Sequence, residues 1–272
     1  MLSDAGPALL SVTGETRLYF VIGDPIRQVR STQLYNKLAA ERGIDVVFAP
    51  LQFAAGDFDA AVRGLRSFKN LAGIIPTIPH KPRMMDVVDK VEPRARLVGA
   101  VNSIRVEPDG TWVGDTFDGV GYVNGLVTAN RDPKGRSVLL VGAGGAGAAI
   151  AVALAEAGAA RLRVVDVETA KAERVVAAVQ GAYPAIAIDT GAVVPAEFDI
   201  VANATPLGMA AGDPYPIDPE TLVPGQLVTD MIMKPPVTPL LQAAEKKGCP
   251  IQVGYQALVG QAEANFSFFG FN

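Results

Sequence analysis

Residues 137–160, SVLLVGAGGAGAAIAVALAEAGAA, carry a single charge, Glu156, and admit two readings. The stretch is long enough to cross a bilayer as a helix, and its small residues fall at helix-pairing spacing. Its first five residues are β-formers, however, and its glycines crowd the place where a helix would start. A strand into Val141, a tight turn and a helix from near Gly145 fit better. Gly142, Gly144 and Gly147 then spell G-x-G-x-x-G between strand and helix. Such a turn needs glycine for tightness, for close backbone approach to a pyrophosphate and for helix–strand packing, with the phosphates on the helix N-terminus. The following strand, RLRVVD, ends in Asp166, about where a dinucleotide fold places its acid. No Gly-Lys-Ser/Thr follows, which excludes a nucleoside-triphosphate P-loop.

Asp166 bears on cofactor choice. A carboxylate there accepts hydrogen bonds from the adenosine ribose hydroxyls, whereas a 2′-phosphate meets like charge from Asp166 and Glu168. Such juxtaposition costs on the order of several kcal/mol. Val167 lies between the two acids and no arginine occupies the turn. The expected cofactor is NAD, with NADP disfavoured, bound by Gly142, Ala143, Gly144, Gly145, Ala146, Gly147, Asp166 and Val167.

Outward from this unit the chain alternates strands and helices. On the N-terminal side, Arg17–Gly23, Asp45–Phe53 and Leu71–Ile75 read as strands. Helices are expected over Ser31–Gly43, over about Gly56–Phe68 and after Pro82, with Ser31 as an N-cap and Gly43 as a C-terminal stop. A first α/β domain with a largely parallel sheet follows. Gly99–Gly114 reads as a hairpin turning at Pro108-Asp109-Gly110, and FDGVGYVNGLVTANRD as a connecting helix. In the second α/β series SVLLVG, RLRVVDV, FDIVANA and LVTDMI are strands, with helices near Gly145, Thr169 and Pro239. Ala257–Phe271 reads as an apolar-faced terminal helix.

With 49% apolar and 19% charged residues, the 272-residue chain has the composition of a globular enzyme of one large or two smaller domains. A net charge of −4 leaves no basic footprint for nucleic acid. The single cysteine, Cys249, allows no internal disulfide, and there is no Cys/His cluster for a metal. The N-terminal MLSDAGPALLSVTGETR has no basic n-region and too short an apolar run for a signal peptide. Together these point to a soluble, cytoplasmic protein.

Eight blocks, in order, resemble the shikimate dehydrogenase family: VIGDPI (Val21–Ile26), GIIPTIPHK (Gly73–Lys81), GAVNS (Gly99–Ser103), GDTFDG (Gly114–Gly119), VGAGGAG, NATPLGM (Asn203–Met209), DMIMKPPVTPLL (Asp230–Leu241) and GYQALVGQ (Gly254–Gln261). The resemblance covers nearly the whole chain. It implies a substrate domain (1–117 and 255–272), a Rossmann-like NAD(P) domain (118–254) and a C-terminal helix returning to the first. Substrate would lie in the cleft between them. It further implies that Lys81 and Asp118 carry the reaction, and that Asn203, Ala204, Thr205, Pro206, Met209, Met231 and Gly254 join the cofactor site.

The chemistry is feasible on elementary grounds, since a lysine beside a carboxylate can relay the proton of a secondary alcohol while a nicotinamide takes the hydride. Apolar Ile75, Ile78 and Pro79 would lower the Lys81 pKa and Asp118 would raise it; the sequence leaves that balance open. His80, the only histidine, has no acidic or cysteine neighbour and is not expected to be catalytic.

Ser31, Thr77, Asn102 and Gln261 match the family's substrate-binding positions. The chain departs from the family at Val29, where a serine is usual, at Ile75 for an asparagine and at Met233 for a tyrosine. Thr116-Phe117 replaces Asn-Thr. The substrate envelope is thus more apolar than usual, and affinity for shikimate itself should suffer. Arg27 or Arg30 offers a guanidinium for a substrate carboxylate. The expected activity is oxidation of a ring alcohol of shikimate or a relative such as quinate. The alternatives are a dehydrogenase for a less polar hydroxy acid and a non-catalytic NAD-binding sensor. The expected partner is a small hydroxy acid, with neither nucleic acid nor membrane, and the protein is a candidate homodimer.

Overall fold

The computed structural model describes residues 12–271. Most of the N-terminal stretch read above as lacking a leader lies outside them. The chain runs β1 (Arg17–Gly23), α1 (Ser31–Glu41), β2 (Val46–Gln52), α2 (Phe58–Leu65), β3 (Leu71–Pro76), β4 (Lys90–Val91), α3 (Pro93–Val98), β5 (Ser103–Val106) and β6 (Trp112–Asp115). After α4 (Asp118–Thr128) come β7 (Ser137–Val141), α5 (Gly145–Glu156), β8 (Arg161–Val165), α6 (Thr169–Ala182), β9 (Ala187–Asp189), β10 (Ile200–Asn203), β11 (Leu227–Asp230), α7 (Pro239–Lys246), β12 (Ile251–Gln252) and α8 (Gly254–Phe268).

The strands form two six-stranded sheets. In the first, ordered β2-β1-β3-β5-β6-β4, five strands run the same way and β5 alone is reversed, antiparallel to both β3 and β6. The sheet is therefore largely parallel, as expected, with the expected hairpin supplying its one reversed strand. The second, β12-β11-β10-β7-β8-β9, is parallel throughout and, counted from β7, has the 3-2-1-4-5-6 order of a dinucleotide-binding sheet. Its central strand reads as one apolar run because helices cover both faces; Val138, Leu139 and Leu140 are fully buried.

The opening stretch resolves as β7, turn and α5, and the reason it looked bilayer-like is now physical. Every residue of α5 from Gly147 to Ala155 is buried, so the helix has no polar face to show. Among the described residues no helix is long and apolar enough to cross a membrane.

Several local expectations change. Ser31 is the first residue of α1 rather than its cap; Arg30 holds the cap position and makes no side-chain cap bond. Gly43 does stop that helix, at a φ of 65°. The segment after Pro82 makes only a 3-10 turn, Arg83–Asp86, and α2 ends at Leu65. The terminal helix starts at Gly254, three residues earlier than its apolar face suggested.

The helices α4 and α8 cross at backbone contact. A Cβ on Gly121 would lie 2.3 Å from the Ala257 carbonyl oxygen, and one on Gly260 would lie 2.3 Å from the Gly121 oxygen. Only hydrogen fits there. Gly121→Ala should therefore lower the unfolding free energy by about 1–3 kcal/mol, read by urea denaturation. A variant as stable as the parent would show that the helices do not meet so closely.

Candidate active site

The loop after β3 closes over the carboxyl end of the first sheet. Thr77 N–H donates to Ile22 O (2.8 Å), Asp24 N–H to Ile78 O (2.8 Å) and His80 N–H to Thr77 O (2.8 Å). Gly23 is glycine because a Cβ there would stand 2.3 Å from Thr77 Cγ2. These bonds send neighbouring side chains in opposite directions. His80 turns inward, fully buried, stacked on Phe53 at 4.5 Å, with Nε2 3.1 Å from the Phe53 oxygen and Nδ1 unpartnered. Burial pushes its pKa below the ordinary 6.5, against the opposing pull of the Phe53 carbonyl. Lys81 turns outward into a cleft.

There Lys81 Nζ donates to Asp118 Oδ2. The two side chains are 15% and 9% exposed, so the pair is largely withdrawn from water yet reachable. Asp118 opens α4, and the residue before it is anchored by Phe117 N–H donating to Asn102 Oδ1 at 2.9 Å. The amide of Asn102 donates in turn to Gln261 Oε1 at 3.4 Å.

This pair lies in a cavity of about 520 Å³ between the two sheets. The cavity brings together Ser31, Thr77, Asn102 and Gln261, with the apolar departures Val29, Ile75 and Met233. Gly144, Gly145 and Ala146 border the same cavity, as do Ala204, Thr205, Pro206, Met209 and Met231. A Cβ on Gly145 would come 3.8 Å from Lys81 Cβ, so the glycine turn abuts Lys81. Gly144 caps α5 without a side-chain bond, leaving the first N–H groups of the helix open at the cavity. A dinucleotide fits this cradle.

The other expected cofactor residues are not on the cavity wall. Gly142 (φ 104°) and Gly147 shape the turn: a Cβ on Gly147 would fall 1.8 Å from Gly142 O. Asp166 accepts from Ala143 N–H (2.7 Å) and from Glu168 N–H (2.9 Å), so its carboxylate holds the glycine turn before it meets any ribose. Val167 is 98% exposed. Asn203 is buried and bonds to Asp230 (3.1 Å) and Thr205 (2.7 Å), bracing the strand ends. Gly254 is held by contact, since a Cβ would sit 2.6 Å from Ile232 O.

The cavity also takes in Arg30, one of the two arginines offered above for a substrate carboxylate, and Gln28, Tyr35 and Lys171, which the sequence did not single out; Arg27 is not on its wall. The signal for Tyr35 was its spacing, one helical turn beyond Ser31. A larger, open depression of about 830 Å³ lies at the amino ends of β7, β10 and β11. It contains none of the expected site residues, and Arg136 and Asp199 on its rim pair with each other at 3.9 Å. No group of three or more metal-ligating side chains occurs among the described residues.

A family model described as the shikimate dehydrogenase substrate binding domain matches residues 21–104. A relative from Rubrobacter xylanophilus named shikimate dehydrogenase (NADP(+)) is 38% identical over 92% of this chain and 89% of its own. The crystal structure of shikimate 5-dehydrogenase from Listeria monocytogenes, in complex with shikimate and NAD, superimposes with a TM-score of 0.83 at 30% identity, covering 96% of this chain and 94% of that one. Quinate dehydrogenase from Corynebacterium glutamicum, in complex with NAD, gives a TM-score of 0.78 at 27% identity over 93% of each chain. With its two-sheet architecture and its near full-length likeness to these proteins, the chain belongs to the shikimate dehydrogenase family of oxidoreductases.

Proposed function

We propose that the protein interconverts a ring alcohol and its ketone on a hydroxylated cyclic carboxylic acid, shikimate or a close relative such as quinate, using NAD in preference to NADP. Residues 1–117 and 255–272 form the substrate-binding part and 118–254 the cofactor-binding part. The observation that carries the reading is the Lys81–Asp118 pair, set in one cavity with the glycine turn.

The turn Gly142–Gly147 would hold NAD, which would supply the hydride acceptor. In the oxidative direction the Lys81–Asp118 pair takes the proton of the substrate hydroxyl and passes it on to solvent. In reduction Lys81 returns a proton to the carbonyl oxygen. Ser31, Thr77, Asn102 and Gln261 orient the substrate, while Val29, Ile75 and Met233 exclude water from one side. That apolar side favours, as the second reading, a hydroxy acid less polar than shikimate. A sensor without catalysis has no chemical need for the paired Lys81 and Asp118.

The preference for NAD rests on the turn after β8. Its outermost side chain is the uncharged Val167, Asp166 and Glu168 flank it, and the nearby cation Lys171 is bound to Glu168. The wild type should use NAD with a kcat/KM at least about tenfold above that for NADP. Val167→Arg should narrow the gap without loss of stability, because the side chain touches little. Equal efficiency with both cofactors in the parent would refute the acidic-turn reading.

Lys81→Met should lower kcat by about 10²–10⁴ and leave the KM for NAD near its parent value. His80→Ala should cost stability, because it empties a stacked, buried position, but should spare kcat per folded molecule. An inactive His80 variant beside an active Lys81 variant would overturn the assignment. With one histidine in the chain, a single imidazole signal titrates by NMR, and its midpoint should lie below 6.5. Since the unfolded ring takes its proton first, His80 favours the fold fully above pH 6.5 and progressively less as pH falls toward the folded midpoint.

A further inference from the structure

Beneath the cleft Asn102 is backed by buried polar groups that have no part in the reaction proposed above. Asn265 of α8 donates through Nδ2 to the Tyr35 hydroxyl at 2.9 Å, and its Oδ1 accepts from Ser103 Oγ. Ser103 Oγ also lies 3.2 Å from Asn102 Oδ1. The Tyr35 oxygen accepts from Asn265, but its O–H donates to no protein atom among the described residues. The ring is buried in the apolar cluster of the first sheet, yet the residue also borders the substrate cavity.

We infer that Tyr35 is a substrate-specificity residue whose hydroxyl donates a hydrogen bond to an oxygen of the bound substrate. This rests on the dehydrogenase reading above and deepens it. Three observations converge on the inference. Tyr35 stands one turn along α1 from Ser31, so both hydroxyls are offered by one helix face at the cavity. Val29, Ile75 and Met233, which border the same cavity, belong with Tyr35 to one apolar cluster and give a substrate oxygen no partner. Burial and the nearby Asp118 charge raise the phenol pKa far above neutrality, so the group remains a donor at any working pH. A buried hydroxyl seldom leaves its proton unplaced.

The test begins with the wild type and a panel of hydroxylated cyclohexane and cyclohexene carboxylates, with reduced NAD followed. If no member of the panel turns over, the dehydrogenase reading itself fails. On the best substrate, Tyr35→Phe should raise the substrate KM by roughly tenfold, the scale of one buried hydrogen bond left unmade. The kcat should stay within about threefold and the KM for NAD should be unchanged. The same pair of proteins is then compared on analogues lacking one ring hydroxyl, or the carboxylate, at a time. The KM penalty of Tyr35→Phe should vanish for the one analogue that lacks the partner oxygen. A penalty equal on all analogues, or none on any, would overturn the inference and leave Tyr35 a packing residue.

Asn265 loses its acceptor in the phenylalanine variant, so folding is checked by thermal melting. Tyr35→3-fluorotyrosine keeps that acceptor and makes the phenol a stronger donor. Its substrate KM should fall on the same substrate and stay unchanged on the analogue without the partner oxygen. No change on either would count against the inference even if Tyr35→Phe does not fold.

Discussion

The position of Asp118 is fixed by backbone pressed against backbone on two sides of α4. On one side Gly121 meets the Ala257 carbonyl of α8, and on the other a Cβ on Gly119 would fall 2.0 Å from the Ala149 oxygen of α5. Residues α4, α5 and α8 contribute are therefore placed by contacts with no side chain in between. The helix α5 begins at the glycine turn, and α8 carries Leu258 and Gln261 on the cavity wall. One glycine-lined helix thus sets the distance from the carboxylate to the glycine turn and to the cavity wall that α8 carries. Interiors at this density transmit displacement rather than absorb it. A methyl group at either crossing would move the carboxylate relative to Lys81, which stands on the opposite, loop-borne side of the cleft.

Side-chain hydrogen bonds then do for the loop residues what the helices do for Asp118. Asn102 accepts from Phe117 N–H, and Ser103, 3.2 Å from the same oxygen, gives its proton to Asn265, so residues at β5, α4 and α8 share one network. In a low-dielectric interior such a network is rigid when every group is satisfied and costly when one is not. The same logic separates the neighbours His80 and Lys81. The imidazole is spent on stacking with Phe53 and one carbonyl contact, and the ammonium on a carboxylate at the cavity.

Much of this was legible in the sequence where one residue pattern had one physical outcome. RLYFVIG is a strand to the residue, and the Gly142–Gly147 turn fell between β7 and α5 as its spacing required. What was missed is short or set by partners distant in sequence. The two-residue strands β4 and β12 exist only because β6 and β11 offer them an edge, and no periodicity can appear in two residues. The helix α3 has six residues, starts at Pro93 and stops at Gly99 in the left-handed region; those punctuation marks were present but enclose no apolar stripe long enough to read. Asp166 shows a different limit. Its place at the end of β8 was visible, but that its carboxylate would first satisfy Ala143 and Glu168 N–H groups depends on how the turn folds back.

The substrate wall and the core of the first sheet are one body. Ile75, Val29 and Met233 face the cavity, and they also pack into the cluster of Tyr19, Phe48 and Phe266. A serine or an asparagine placed there would meet aliphatic and aromatic neighbours on its inner side, where an unpaired polar group costs about 1–3 kcal/mol. Polarity on this wall is therefore bound to stability, and larger polar side chains are tolerated only where a second partner exists. Tyr35 satisfies that condition: its ring lies edge-on to Phe48 (5.3 Å) and Phe266 (5.7 Å), and Asn265 holds its oxygen. An amphipathic side chain can fill the core and still present one donor to the cleft. Ser31 and Thr77 escape that condition, being small and placed at the start of α1 and just beyond the end of β3. The polar groups left in the cavity are those the packing behind them permits, and the rest of the wall offers shape alone.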